Sequence, residues 1–418
     1  MVKQGYKQTE IGVIPEDWEV KELGECVDYV KGYPFKSKDY LSDGIRIIRI
    51  SDTTYNSIKD DGAIYVSKSV GLKLKNWELN EGDIIVTTVG SKPPMYDSMV
   101  GKTIFIKKRY KGALLNQNAV LFRNKNNSFQ ILLNSIFKQK RYIEYIESIF
   151  RGNANQASIT LDELFKFKIP LPPLAEQKAI AAALSDADAW IESLEQLITK
   201  KRLIKQGAMQ TLFTPKEGWE VKKLVEVCDN IIDYRGVTPK KLGMDWGDGD
   251  IVALSAGNVK KGYIDFNIEC YLGSESLYKR WMRNGNPKKG DIVFTLEAPL
   301  GNIALIPDNK KYILSQRTIL LQLNEKYSSQ YIFQLMLSNK FQNYINERAT
   351  GSTAQGIKRQ TFEKLTIHIP SFLEQERIAT ILSDMDAELK ALENQLAKAR
   401  QIKQGMMQEL LTGRVRLV

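Results

Sequence analysis

Two tandem α/β domains, each followed by one long helix, are what this 418-residue sequence predicts. Three observations carry the prediction. Residues 176–212 and 374–410 align without a gap at an offset of 198 residues. Both stretches space their apolar residues at alternating steps of four and three. The segments ahead of them also match each other, more faintly. Self-similarity at a fixed period marks a duplication. The expected architecture is therefore α/β (α+β) with a pseudo-twofold internal repeat. Its two long helices are expected to pair as an antiparallel coiled coil.

The elements follow in order. Trp18-Glu19-Val20-Lys21 with Leu23 matches Trp219-Glu220-Val221-Lys222 with Leu224. Short apolar segments come next, around Ile45, Ile47 and Ile50 and around Ile251, Val252 and Leu254. Gly82-Asp83-Ile84-Ile85 and Gly290-Asp291-Ile292-Val293 read as a turn entering a strand. Gly/Pro-containing loops, 90–101 and 298–301, lead to Asn116-Gln117-Asn118 and Ser315-Gln316-Arg317, each ahead of another strand. A helix of roughly 20 residues is expected near 128–149 and near 327–348. Polar glycine loops at 151–158 and 350–355 precede a last strand, which ends at Ile169-Pro170-Leu171-Pro172-Pro173 or Ile369-Pro370. The expected boundaries are 1–168 and 215–368 for the domains, and 169–214 and 369–418 for the helical segments.

In the first helix the apolar stripe runs through Ile180, Leu184, Ile191, Leu194 and Ile198. In the second it runs through Ile378, Leu382, Leu389, Leu392 and Leu396. A mean step of 3.5 residues is the coiled-coil period. Lys205 and Lys403 interrupt both stripes at one level, a device for fixing register. The competing reading is two ordinary core helices in separate domains.

Apolar content of 43% and charged content of 26% are those of a globular protein. No signal pattern and no membrane-spanning run is present, so a cytoplasmic protein is expected. Cys26, Cys228 and Cys270 are far apart and offer no metal site. The net charge of +11 divides into +6 for residues 1–168, +5 for 215–368 and zero for each helical segment. Two basic bodies on neutral helices suit a polyanion held at two places.

Catalytic signatures are missing. The lone His368 lies in an apolar strand and reads as structural. There is no P-loop and no dinucleotide fingerprint. Lys92-Pro93-Pro94-Met95-Tyr96 lacks the Asn or Asp that would hold an amino group in an amino-methyltransferase motif. The acids of Pro15-Glu16-Asp17-Trp18-Glu19-Val20-Lys21 are too close in sequence for a hairpin to converge them on a metal. No catalytic, cofactor or metal residue is expected.

The helix introduced by Ile-Pro-Leu-Pro-Pro-Leu-x-Glu-Gln at 169–177, its Lys-Gln-Gly-x-Met-Gln end at 205–210, and the recurrence of both at the C-terminus resemble a specificity subunit of type I DNA restriction–modification systems. Ile14-Pro15-Glu16-Asp17-Trp18-Glu19 and the run from Ile232 to Lys240 are similar to stretches common in that family. The second copy departs from the pattern in lacking the Pro172-Pro173 pair and having Ser371-Phe372, which changes the helix entry but not its register. The resemblance implies that each α/β segment is a target recognition domain reading one half of a split sequence in double-stranded DNA. It implies that the helices set the half-site spacing and dock two methyltransferase subunits. It further implies motor–nuclease (restriction) subunits in the full complex, with S-adenosylmethionine, ATP and magnesium carried by the partners.

Lysine and arginine would neutralise phosphates while a few side chains reach base edges in the major groove. The polar loops that recur at equal positions are the candidate DNA contacts. In the first domain these are Lys92, Tyr96 and Lys102; Asn116, Gln117 and Asn118; and Arg151, Asn153, Asn155 and Gln156. In the second they are Tyr234, Arg235, Lys240 and Lys241; Asn258, Lys260 and Lys261; Gln316 and Arg317; and Ser352, Thr353, Gln355, Lys358 and Arg359. The competing reading for any one is a solvated surface residue or a turn former. Gln117 and Gln316 share a position, which also fits an internal brace.

Two other classes compete. A fused methyltransferase–specificity protein needs a cofactor loop and an Asn/Asp-Pro-Pro-Tyr motif, and neither is found. A coiled-coil adaptor that joins proteins without reading DNA has no need of basic globular parts.

Overall fold

The computed structural model describes residues 2–55, 57–124, 126–153, 156–315, 317–351 and 355–417. The chain divides into two compact units. One is Met1–Glu195 with Gln395–Val418, and the other is Gln196–Asn394. Each unit thus holds one α/β domain, the near half of one long helix and the far half of the other.

In the first unit an antiparallel sheet runs in the order Asp28–Lys31, Ala119–Arg123, Ile84–Thr87, Thr103–Phe105. The second unit repeats it as Cys228–Asp233, Thr318–Leu323, Ile292–Thr295, Ile303–Leu305. A smaller mixed sheet lies beside each, centred on Ile45–Ile48 or Ile251–Leu254. The strand that leads into each long helix pairs with the strand after the repeated tryptophan: Lys168–Leu171 with Glu19–Glu22, and Thr366–Ile369 with Glu220–Lys223. His368 sits in the latter strand with its side chain exposed, and its carbonyl accepts from the Tyr331 hydroxyl.

The expected 20-residue helices are each two helices, Asn127–Ile136 with Lys140–Ile149 and Ser329–Leu337 with Asn339–Asn346. Gln139 and Ser338 break them by taking extended backbone, and Ser338 Oγ accepts the Phe341 N–H to start a new helix. Apolar periodicity alone does not register such a break.

The long helices, Leu174–Leu212 and Phe372–Leu410, are continuous over 39 residues each. Within the first unit Lys403 pairs with Asp188 and Arg400 with Glu195. Within the second, Lys205 pairs with Asp386, Lys201 with Glu388 and Arg202 with Glu393. From Asp188 to Glu195 the partner moves from Lys403 to Arg400, and from Lys201 to Lys205 it moves from Glu388 to Asp386, so the helix segments run antiparallel in each unit. The two lysines that interrupt the stripes make the same bridge at the same repeat position in both units.

The stripe itself is divided. Leu194 and Ile198 are buried, and Ile191, Leu389, Leu392 and Leu396 are half-buried. Ile180 and Leu184, however, join Trp18, Phe122 and Phe137 in the core of the first domain. Ile378 and Leu382 join Phe294 and Phe362 in the core of the second. These four are domain-core residues as well as members of the stripe. A 3.5-residue period says that a stripe is covered, and it is silent on what covers it.

The glutamine of the Glu-Gln pair that marks each repeat sockets the helix. Gln177 Nε2 donates to the Pro172 carbonyl at 2.8 Å, and Gln375 Nε2 to the Pro370 carbonyl at 3.0 Å. Their amide oxygens accept from Asn126 Nδ2 and from the Ser328 N–H. The change from Pro173-Leu174 to Ser371-Phe372 leaves this register intact.

Candidate nucleic-acid interface

Three separate stretches of the first unit meet at one end of its main sheet. The strand Val89–Gly90 pairs with Gln156–Ser158, which itself forms a hairpin with Arg151–Asn153. The Thr88 N–H donates to the Asn118 carbonyl, and the Ile159 N–H to the Thr88 carbonyl. The polar glycine loop is therefore a β-hairpin laid against the proline loop and the Gln117-Asn118 turn. Lys92, Tyr96, Gln117, Asn118, Arg151, Asn153 and Gln156 are all exposed on it.

The second unit builds the same cluster. The Leu296 N–H donates to the Arg317 carbonyl, the Ile357 N–H to the Leu296 carbonyl, and Glu297 bridges to Gly356. Asn118 and Arg317 stand at the same position with left-handed backbone, φ +68° and +72°. Asparagine tolerates that conformation; an arginine there is uncommon. Arg317, Gln355 and Lys358 are exposed. So are Lys240, Lys241 and Lys261, although the Lys241 ammonium folds back on the Gly236 carbonyl. Lys260 is half-buried, and its N–H closes a turn on the Tyr263 carbonyl.

Six of the expected contacts face inward or are already paired. Lys102 is 1% exposed, and its ammonium donates to the Thr53 and Asp97 carbonyls. Burial pushes it down to about 8. Asn116 is buried, its Oδ1 accepting the Gln117 N–H. The Tyr234 hydroxyl donates to the Gly285 carbonyl and accepts the Asn284 N–H. Arg235 is forked onto Asp233. Asn258, 2% exposed, bonds the Ser255 N–H and the Ala253 carbonyl and so shapes a turn. Arg359 pairs with Glu363 and Asp233 and donates to the Ile231 carbonyl. In each case a partner already satisfies the polar group: across the fold for Lys102, Tyr234 and Arg359, and within five residues for Asn116, Arg235 and Asn258. Asn155, Gln316, Ser352 and Thr353 lie outside the described residues.

Sequence reasoning missed Tyr55. Its ring meets Tyr96 edge-on at 5.0 Å, its N–H donates to Asp97 Oδ1, and its carbonyl accepts from the buried Lys138 ammonium. Nothing in the spacing of residues connects Tyr55 with Tyr96. The motif-like segment at 15–21 has other duties, because Trp18 Nε1 donates to Glu176 and Asp17 pairs with Arg416. Among the described residues no acidic, histidine or cysteine cluster fits a metal, and the three cysteines are free.

The family model described as "Type I restriction modification DNA specificity domain" matches the chain twice, over residues 15–201 and 216–401. The chain belongs to this family. Among specificity-subunit relatives, a type I restriction enzyme MjaVIII subunit from Methanocaldococcus jannaschii is 26% identical, with 97% of this chain and 94% of that one covered. The putative MjaX specificity subunit of the same organism is 27% identical over 99% and 97%. The EcoKI specificity subunit of Escherichia coli is 23% identical over 96% and 90%. The crystal structure of a type I S subunit from M. genitalium shares the fold at a TM-score of 0.60 and 16% identity, covering 94% of this chain and 96% of that one.

Proposed function

We propose that this specificity-family chain is the DNA-reading, non-catalytic subunit of a type I restriction–modification assembly. One observation carries the reading: each unit presents the same three-loop cluster of exposed polar side chains on a body with a positive excess, and the family match covers both units. Each cluster reads one half of a bipartite target in the major groove. Phosphate contacts hold the unit in place and a few side chains address base edges. The paired long helices dock two methyltransferase subunits and fix the half-site spacing, and restriction subunits complete the complex.

The partners carry S-adenosylmethionine, ATP and magnesium, and take the target adenine out of the stack. The assembly works in the cytoplasm. No helix among the described residues is long and apolar enough to cross a membrane, which is compatible with that placement. The test is co-expression with the cognate methyltransferase subunit followed by genome-wide mapping of methyladenine. A split target with a fixed number of unread base pairs is expected. Robust methyl transfer or DNA cleavage by the isolated chain overturns the reading.

A further inference from the structure

Lys102 is buried directly beneath the loop that carries Lys92 and Tyr96. Its ammonium donates to the Thr53 carbonyl at 2.9 Å and to the Asp97 carbonyl at 2.5 Å, tying two loops together. Its N–H donates to Thr87 Oγ1 at 3.0 Å, and that hydroxyl donates to the Met99 carbonyl at 3.0 Å. The second unit repeats this lattice with a different side chain. The Asn302 N–H donates to Thr295 Oγ1 at 2.9 Å, and that hydroxyl donates to the Pro299 carbonyl at 2.5 Å. Asn302 Nδ2 donates to the Val259 carbonyl at 2.8 Å.

The two positions are equivalent. Lys102 and Asn302 each precede the strand that pairs with the central Ile84–Thr87 or Ile292–Thr295, and each follows a glycine of positive φ. Thr53 and Val259, which receive the bonds, each bridge to an isoleucine five residues on. The difference between them is reach. Lysine spans two loops, whereas asparagine spans one.

We propose that Lys102 and Asn302 are the positioning residues of the two recognition clusters, each setting the stance of its own unit's reading loop and thereby the stringency of its own half-site. The inference rests on the DNA-reading function above. The Asp97 carbonyl held by Lys102 belongs to the same residue whose carboxylate holds the Tyr55 N–H, and Tyr55 packs on Tyr96. Releasing Lys102 therefore frees Tyr96 and the Lys92 loop without removing any exposed side chain. The buried Thr53 carbonyl and the part-buried Asp97 carbonyl are left without that donor, which disfavours the present loop stance.

The test uses the assembled complex of this chain with its methyltransferase subunit in cells lacking other adenine methylation. Wild type, Lys102→Met, Lys102→Asn and Asn302→Leu are compared by methyladenine mapping. Lys102→Met is expected to raise methylation about tenfold at sites with one mismatched base in one half-sequence, the order of discrimination a single base pair normally supplies. Asn302→Leu is expected to relax the other half-sequence alone. Lys102→Asn, which imports the second unit's side chain, keeps a donor and should relax its half less than Lys102→Met.

A merely structural role lowers the amount of complex and leaves the methylated sequences unchanged. That result, or relaxation of the same half by both substitutions, overturns the proposal. Should Lys102→Met abolish assembly, Lys102→Asn and Asn302→Leu decide it by the same readout. Absence of any bipartite target in the wild-type map instead sinks the DNA-reading function itself.

Discussion

At the start of the first long helix Glu176 is fully buried. It accepts Trp18 Nε1 at 2.7 Å and Arg416 Nε at 2.6 Å. At the same position of the second helix, Glu374 is partly exposed and pairs with Arg377 and Lys216 at its own surface. One duplicated glutamate thus serves as a buried keystone in the first unit and as a rim charge in the second. In the first unit the C-terminal segment supplies Arg416, which also bridges to Asp17, and the Tyr6 hydroxyl donates to the Gly413 carbonyl. In the second unit the chain running from helix to domain supplies Lys216. The lesson is that equal sequence gives equal backbone, while the energy stored in a residue depends on what closes over it.

The largest effect expected is at Glu176. Glu176→Ala leaves the buried Trp18 N–H without a partner and the Arg416 guanidinium with Asp17 alone, and the orphaned donor plus the lost charged hydrogen bond cost about 3 kcal/mol. Denaturant unfolding measures this, and a loss below about 1 kcal/mol would make the keystone a surface pair. Gln177 and Gln375 provide the symmetric control, because both are buried and both bond a proline carbonyl. Their alanine substitutions should cost the same in either unit, about 1–3 kcal/mol each.

A third expected difference is in pH response. Lys102 and Lys138 are both pushed down to about 8 by burial, opposed by Asp97 for the first and by Asp188 for the second. Lys59 adds to the shift of Lys102, and Lys403 and Lys102 add to that of Lys138. The ordinary value is about 10.4. Between these limits the unfolded chain holds a proton that the folded chain has released, so the stability of the first unit rises with pH across that window. The second unit has Asn302 at the place of Lys102, with no proton to lose. Unfolding at pH 7.5 and 9.5 should therefore show a gain for wild type that the double substitution Lys102→Asn, Lys138→Met reduces. An unchanged gain would place both ammoniums in solvent.

Salt dependence separates exposed cations from paired ones. Arg151→Ala and Lys358→Ala should each lower the log–log slope of DNA affinity against salt by about 0.9, the share of one phosphate contact. Arg359→Ala, whose guanidinium is engaged by Glu363 and Asp233, should leave the slope unchanged. A slope left at the wild-type value by Arg151→Ala and Lys358→Ala would mean that these side chains do not reach phosphate. The smallest effect belongs to Glu374→Ala, about 0–1 kcal/mol, as for exposed pairs in general. A cost matching that of Glu176→Ala would erase the contrast between the two units.

The sequence by itself determined the duplication, the two long helices and their pairing, several of the strands in each domain and the position of the recurring loops. These are features of period and repetition, and both survive in a one-dimensional string. It also carried the family, through the helix repeats at 169–177 and 205–210. Tertiary structure alone decided which polar residues face outward. Lys102 reaches a carbonyl 49 residues away, and Arg359 one that is 128 residues away. No spacing rule encodes such partners, so a lysine in a glycine loop reads the same whether it awaits a phosphate or is already bonded beneath the surface. Burial of a polar group depends on whether a distant partner satisfies it, and only the folded chain brings that partner within reach.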